Sequence, residues 1–116
     1  MNIERGLIYL KAKNKGNNQW RHDGLIDIVE KELVGRGFSN IYKNTEYSNM
    51  SCGEIDLWAK RGDYVLMFEM KSSYSQRTRN KAIEQLDRAE RNCFPFNRVF
   101  KFYVSDYKSP RVEWVR

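Results

Sequence analysis

The sequence predicts an α/β domain with a central mixed β-sheet flanked by helices. Three observations predict it: two amphipathic helical stretches, two alternating segments joined by a two-residue glycine turn, and a strand after the second helix. The order is helix, three strands, helix, strand, with Val112 to Val115 a candidate for a further short strand. A chain of 116 residues is long enough for one compact domain and too short for two. Hydrophobic residues at 41% and aromatics at 14% exclude a disordered chain, and charged residues at 31% exclude a membrane protein.

Residues 1–18 hold Lys11, Lys13, Asn14, Lys15, Gly16 and Asn17 without sustained periodicity and read as a basic arm or loop. The apolar run Leu7 to Leu10 falls well short of a signal-peptide core or a bilayer span, which points to a soluble cytoplasmic protein with no membrane partner. From Gln19 to Val34 the residues Leu25, Val29 and Leu33 recur at helical spacing, with Ile26 and Ile28 beside them and Gly35 and Gly37 as stop signals. Phe38, Ile41 and Tyr42 begin a short strand that the polar run Asn44 to Ser51 interrupts.

Glu54 to Lys60 alternates, with Ile55, Leu57 and Ala59 on one face and Glu54, Asp56, Trp58 and Lys60 on the other. Tyr64 to Lys71 alternates too, with Leu66, Phe68 and Met70 opposite Met67, Glu69 and Lys71. Gly62-Asp63 between them suits a type II′ hairpin turn with glycine first. A second helix covers Thr78 to Asn92, with Ala82, Leu86, Ala89 and Cys93 on one stripe and Pro95 beyond its end. Arg98 to Tyr107 reads as a strand. Cys52 and Cys93 stand in no metal-ligand spacing and read as inert thiols.

The hairpin turn fixes a register that can be tested on both faces. One face pairs Ile55 with Met70, Leu57 with Phe68 and Ala59 with Leu66, an apolar surface that belongs in the core. The other pairs Trp58 with Met67, Glu54 with Lys71 and Asp56 with Glu69, the last being two carboxylates about 5 Å apart at Cβ. Directly opposed like charges destabilise a hairpin unless a cation or a proton sits between them. Mg²⁺, with Mn²⁺ able to substitute, is the cation that fits: it takes oxygen ligands and is often held by one or two carboxylates plus substrate phosphate. Lys71 lies on the same face as Glu69, where its ammonium can orient an attacking water or stabilise transition-state charge. A solvated hairpin face is the competing reading of these three residues.

Asp56, the hairpin and Glu69-Met70-Lys71 at a strand end together resemble the signature of the PD-(D/E)XK nuclease superfamily, whose members cut nucleic acids with Mg²⁺. With Gly53-Glu54-Ile55-Asp56-Leu57 and the upstream helix ending at Gly37-Phe38, the stretch from Trp20 to Cys93 is similar to archaeal Holliday-junction resolvases and to small bacterial proteins of that fold. The resemblance implies a restriction-endonuclease-like core and a DNA endonuclease acting on branched DNA, in recombination or repair, without a small-molecule cofactor. It implies that Asp56, Glu69 and the Met70 carbonyl hold the metal, that Lys71 positions the water and that Gln85 on the second helix adds a catalytic contact. Relatives carry a first-helix Glu where this chain has Ile26, which leaves Asp23, His22 and Glu30 as candidates for that ligand.

A net charge of +6 favours an anionic partner, and Lys13, Lys15, Arg21, Arg77, Arg79 and Lys81 are candidate DNA contacts. Small members of the resembled group act as homodimers, because symmetric junction cutting needs two active sites. Within the enzyme class a nuclease for flaps, single strands or restriction sites shares the same catalytic core. A catalytically inactive nucleic-acid-binding module on the same fold is the alternative that Ile26 favours.

Overall fold

The structure is a computed structural model that describes residues 7–9, 18–47, 53–72 and 74–115, with side chains described for 21–43, 55–72 and 74–115. Its elements are β1 (Leu7–Tyr9), α1 (Asn18–Gly35), β2 (Asn40–Tyr47), β3 (Gly53–Arg61), β4 (Tyr64–Lys71), α2 (Gln76–Cys93), β5 (Arg98–Ser105) and β6 (Arg111–Val115). The strands form one mixed sheet in the order β1-β6-β5-β4-β3-β2. β4 and β5 run parallel, and every other neighbouring pair is antiparallel. A parallel pair needs a crossover, and α2 supplies it.

The two helices cover opposite faces. Leu25, Ile26, Val29 and Leu33 of α1 pack on Leu57, Ala59, Leu66, Phe68, Met70, Phe102 and Val104. Ala82, Leu86 and Ala89 of α2 pack on Val65, Met67, Tyr103 and Val115. β4 is therefore buried on both sides, as expected of a strand at the parallel centre of a sheet. Ser75 caps α2, its hydroxyl accepting from Thr78 N at 3.1 Å while Thr78 Oγ1 accepts from Ser75 N at 3.2 Å. No helix among the described residues is long and apolar enough to cross a membrane.

The predicted helices and the later strands are present with small shifts of boundary. Three readings are corrected. Leu7–Tyr9, expected within an arm or loop, pairs with β6 as an edge strand, a partnership that three residues of local pattern cannot announce. β2 continues to Tyr47 through the polar stretch expected to interrupt it, since an edge strand buries little side chain and tolerates polar residues. Cys93 is disulfide-bonded rather than a free thiol, and the other cysteine of the chain, Cys52, lies outside the described residues.

Candidate active site

Gly62 turns the hairpin with φ 61°, the positive angle that a type II′ turn needs at its first central residue. The predicted register then holds from Arg61↔Tyr64 through Trp58↔Met67 to Leu57↔Phe68. Beyond Leu57 the two strands part, and the expected pairs Asp56↔Glu69 and Ile55↔Met70 do not form. The Met70 N–H donates instead to Asp56 Oδ2 at 2.9 Å, so a side-chain carboxylate stands where a strand carbonyl would have been the acceptor. Ile55 joins the α2-side core while Leu57 joins the α1-side core, which corrects the strict alternation expected of this strand. The register with β2 is the same on either side of the break, so β3 turns about its own axis at Asp56 without an inserted residue. Two carboxylates set face to face across a ladder repel, and with the strands parted here that pairing is not imposed.

Both acids are buried, Asp56 with 7% and Glu69 with 4% of its surface exposed. Lys71 Nζ lies 3.7 Å from Glu69 Oε2, as the shared strand face predicts. From α1, His22 Nε2 reaches to 3.3 Å from Asp56 Oδ2. Asp23 Oδ1 stands 3.6 Å from His22 Nδ1, an electrostatic neighbour beyond hydrogen-bonding distance. Hydrogen bonding to the Asp56 carboxylate is the main reason the His22 imidazole titrates above its ordinary value, against the opposing effect of burial. Burial by itself would push the Asp56 carboxyl up, yet hydrogen bonds from His22, the Glu69 side chain and the Met70 N–H together hold it below its usual range.

The oxygen donors of Asp56 and Glu69 meet the requirement of a hard cation that keeps most of its own water. Among the described residues no group of three or more His, Cys, Asp or Glu side chains stands in a metal-holding arrangement. Met70, next to Glu69 on β4, is tied to Asp56 by its N–H. Gln85 is half-buried on α2, its Oε1 buried without a hydrogen-bond partner. Glu30 is engaged by Lys43 at 3.2 Å, and the structure does not bring it to Asp56.

The candidate DNA contacts divide. Arg77 and Lys81 are exposed on the first turns of α2 and make no ion pair among the described residues. Arg79 is bound in a two-pronged pair with Glu113, Nη2 at 2.6 Å and Nε at 3.0 Å, which leaves little of its charge for a phosphate. Arg21 is half-buried near the start of α1. Lys13, Lys15 and the Glu54 side chain lie outside the described residues.

Sequence reasoning missed the row of side chains that β5 and β6 add beside Lys71. Lys71 pairs with Ser105, and Ser105 with Arg111, so the three lie side by side across β4, β5 and β6. The next row inward is Glu69, Tyr103 and Glu113. Alternation within β5 was legible, but its alignment with β4 was not. No protein-family model matches the chain, and no curated protein is significantly similar to it.

Proposed function

We propose that the chain is a Mg²⁺-dependent DNA endonuclease of the PD-(D/E)XK kind on a restriction-endonuclease-like core, cutting branched DNA as a homodimer. The observation that carries this reading is the burial of Asp56 and Glu69 at a parted strand end, with the Met70 N–H and His22 on Asp56 and Lys71 against Glu69. Burying two carboxylates costs desolvation that the Met70 and His22 contacts to Asp56 offset only in part. A buried carboxylate whose titration is shifted by specific partners, as that of Asp56 is, marks a candidate functional site.

In this reading Asp56, Glu69 and the Met70 carbonyl would hold Mg²⁺. When bound, the ion supplies acidification of a water and neutralisation of phosphate charge. The Met70 N–H and His22 both reach Asp56 Oδ2 and fix the orientation of that carboxylate, leaving Oδ1 as the oxygen free to meet the metal. Lys71 places a positive charge beside Glu69, where it orients the water and offsets charge on the phosphate under attack. His22 reaches Asp56 from α1, the first helix, on which the resembled nucleases carry their additional acid.

The test is cleavage of a labelled four-way junction beside matched duplex, flap and single-stranded DNA, with Mg²⁺ or EDTA, for the native protein and Glu69→Ala. Metal-dependent junction cutting that vanishes in Glu69→Ala is the expected result. Cutting of another substrate alone keeps the active site and discards junction specificity. Binding without cutting on every substrate moves the assignment to a nucleic-acid-binding module, a reading favoured by the buried apolar Ile26 on the site-facing side of α1.

A further inference from the structure

Beside the carboxylates, the row Lys71, Ser105 and Arg111 crosses three neighbouring strands on the α2 side of the sheet. Its facing is fixed by its neighbours: Met70, Val104 and Val112 all belong to the core on the α1 side, so the residues that alternate with them turn the other way. Fully buried Ser105 separates the two cations, and two strand spacings, about 10 Å, separate their Cα atoms.

Arg111 is held in a defined pose. Its guanidinium stacks 4.1 Å over the ring of Tyr74, which is 44% exposed in the segment between β4 and α2. Arg111 makes no ion pair among the described residues, and the acid nearest to it on the same strand face, Glu113, is already taken by both prongs of Arg79. An arginine stacked on an aromatic ring with its charge uncommitted presents a planar fork with little rotamer freedom left to lose, the arrangement suited to gripping a phosphate oxygen pair. Exposed Arg77 on the first turn of α2 and Lys108 in the β5–β6 turn add positive charge at the same end of the sheet.

We propose that Arg111 is a second phosphate-binding residue of this protein, gripping the sugar–phosphate backbone of a nucleic-acid strand one step beyond the phosphate at Lys71, with Tyr74 as its positioning residue. This rests on the nuclease reading and adds to it a path: the strand leaves the carboxylates across the ends of β5 and β6. The contact is to backbone and independent of base sequence.

The test is binding of a fluorescein-labelled four-way junction and its matched duplex to the full chain in EDTA, by anisotropy, between 50 and 200 mM KCl. Removing one phosphate contact lowers the slope of log K against log salt by about one and weakens binding about tenfold at the lower salt, the expectation for Arg111→Ala. Arg111→Lys keeps the charge and the slope but loses the stacked fork, and weakens binding about threefold. Arg91→Ala, a cation at the far end of α2, changes neither quantity more than twofold. An unchanged slope in Arg111→Ala with native melting, or an unchanged affinity in Arg111→Lys, overturns the proposal while leaving the nuclease reading intact. A native protein that binds no DNA at any salt overturns both.

Discussion

The bond between Met70 N–H and Asp56 serves the fold and the proposed chemistry at once, and two substitutions separate the roles. Asp56→Asn keeps a side-chain oxygen in place to accept from Met70, whereas Asp56→Ala removes the acceptor and leaves a buried N–H unpaired. An unsatisfied buried donor costs about 1–3 kcal/mol. His22 reaches the same Oδ2, so Asp56→Asn loses only the charge of that pairing while Asp56→Ala loses all of it, a difference of at most about 1 kcal/mol in the same direction. For a chain of 116 residues 1 kcal/mol corresponds to roughly 4 °C in Tm, so the unpaired donor alone places Asp56→Ala about 4–12 °C below Asp56→Asn in thermal melts followed by circular dichroism in EDTA. In the cleavage assay the two fall together, by a factor of about a hundred or more, because neither offers a charged oxygen to the metal. Equal melting temperatures would remove the structural role of the Met70 bond, and full cleavage by Asp56→Asn would remove the carboxylate from the chemistry.

Three further outcomes follow from the same geometry. The raised His22 pKa makes its stabilising contribution complete below 6.5 and lost as pH rises through the higher folded value, while the lowered Asp56 pKa makes its contribution complete above 3.8 and lost as pH falls through the lower folded one. In EDTA the stability gap between the native protein and His22→Gln is therefore widest between those limits and narrows on the alkaline side; a gap that grows there contradicts the pairing. Mg²⁺ at a hundred times its Kd adds about 2.7 kcal/mol to the native protein, read as a thermal shift, and leaves Glu69→Gln unmoved; equal shifts in both place the ion elsewhere. In Gly24→Ala the new Cβ would meet Tyr107 Cε1 at 2.5 Å, and overpacking against this buried ring outweighs the gain in helix propensity, lowering Tm by about 4–8 °C. A higher Tm would mean that α1 and Tyr107 separate freely.

The hairpin was legible because both of its determinants are local: Gly62 sets the turn, and alternation then dictates Leu57 against Phe68 and Trp58 against Met67. The same rule, continued outward, gave a false pair at Asp56 and Glu69, since it takes no account of the Asp56 side chain, which accepts from the Met70 N–H in place of a ladder carbonyl. Lys71 beside Glu69 followed from strand geometry alone. His22 against Asp56 did not, because the approach of α1 to β3 is set by how Leu25, Val29 and Leu33 pack, which a one-dimensional pattern leaves free. Arg111 was silent for a like reason: the parallel alignment of β5 on β4 is decided across the α2 crossover rather than by a turn. Arg79 shows the opposite error, a cation that reads as available until Glu113 from β6 is folded against it.

The order of pairings along the chain has a kinetic consequence. β3 and β4 are joined by two residues, so their hairpin can close on the microsecond scale, whereas the β4–β5 alignment waits for α2 to form and dock. Asp56 and Glu69 are thus brought near one another in the earliest local structure, before α1 delivers His22 to share the charge. Refolding limbs of chevron plots are expected to steepen in their dependence on pH and on divalent ions, since whatever quiets those two carboxylates in the nascent hairpin speeds nucleation. Unfolding, which begins from a protein with His22 already in place, would feel the same agents far less.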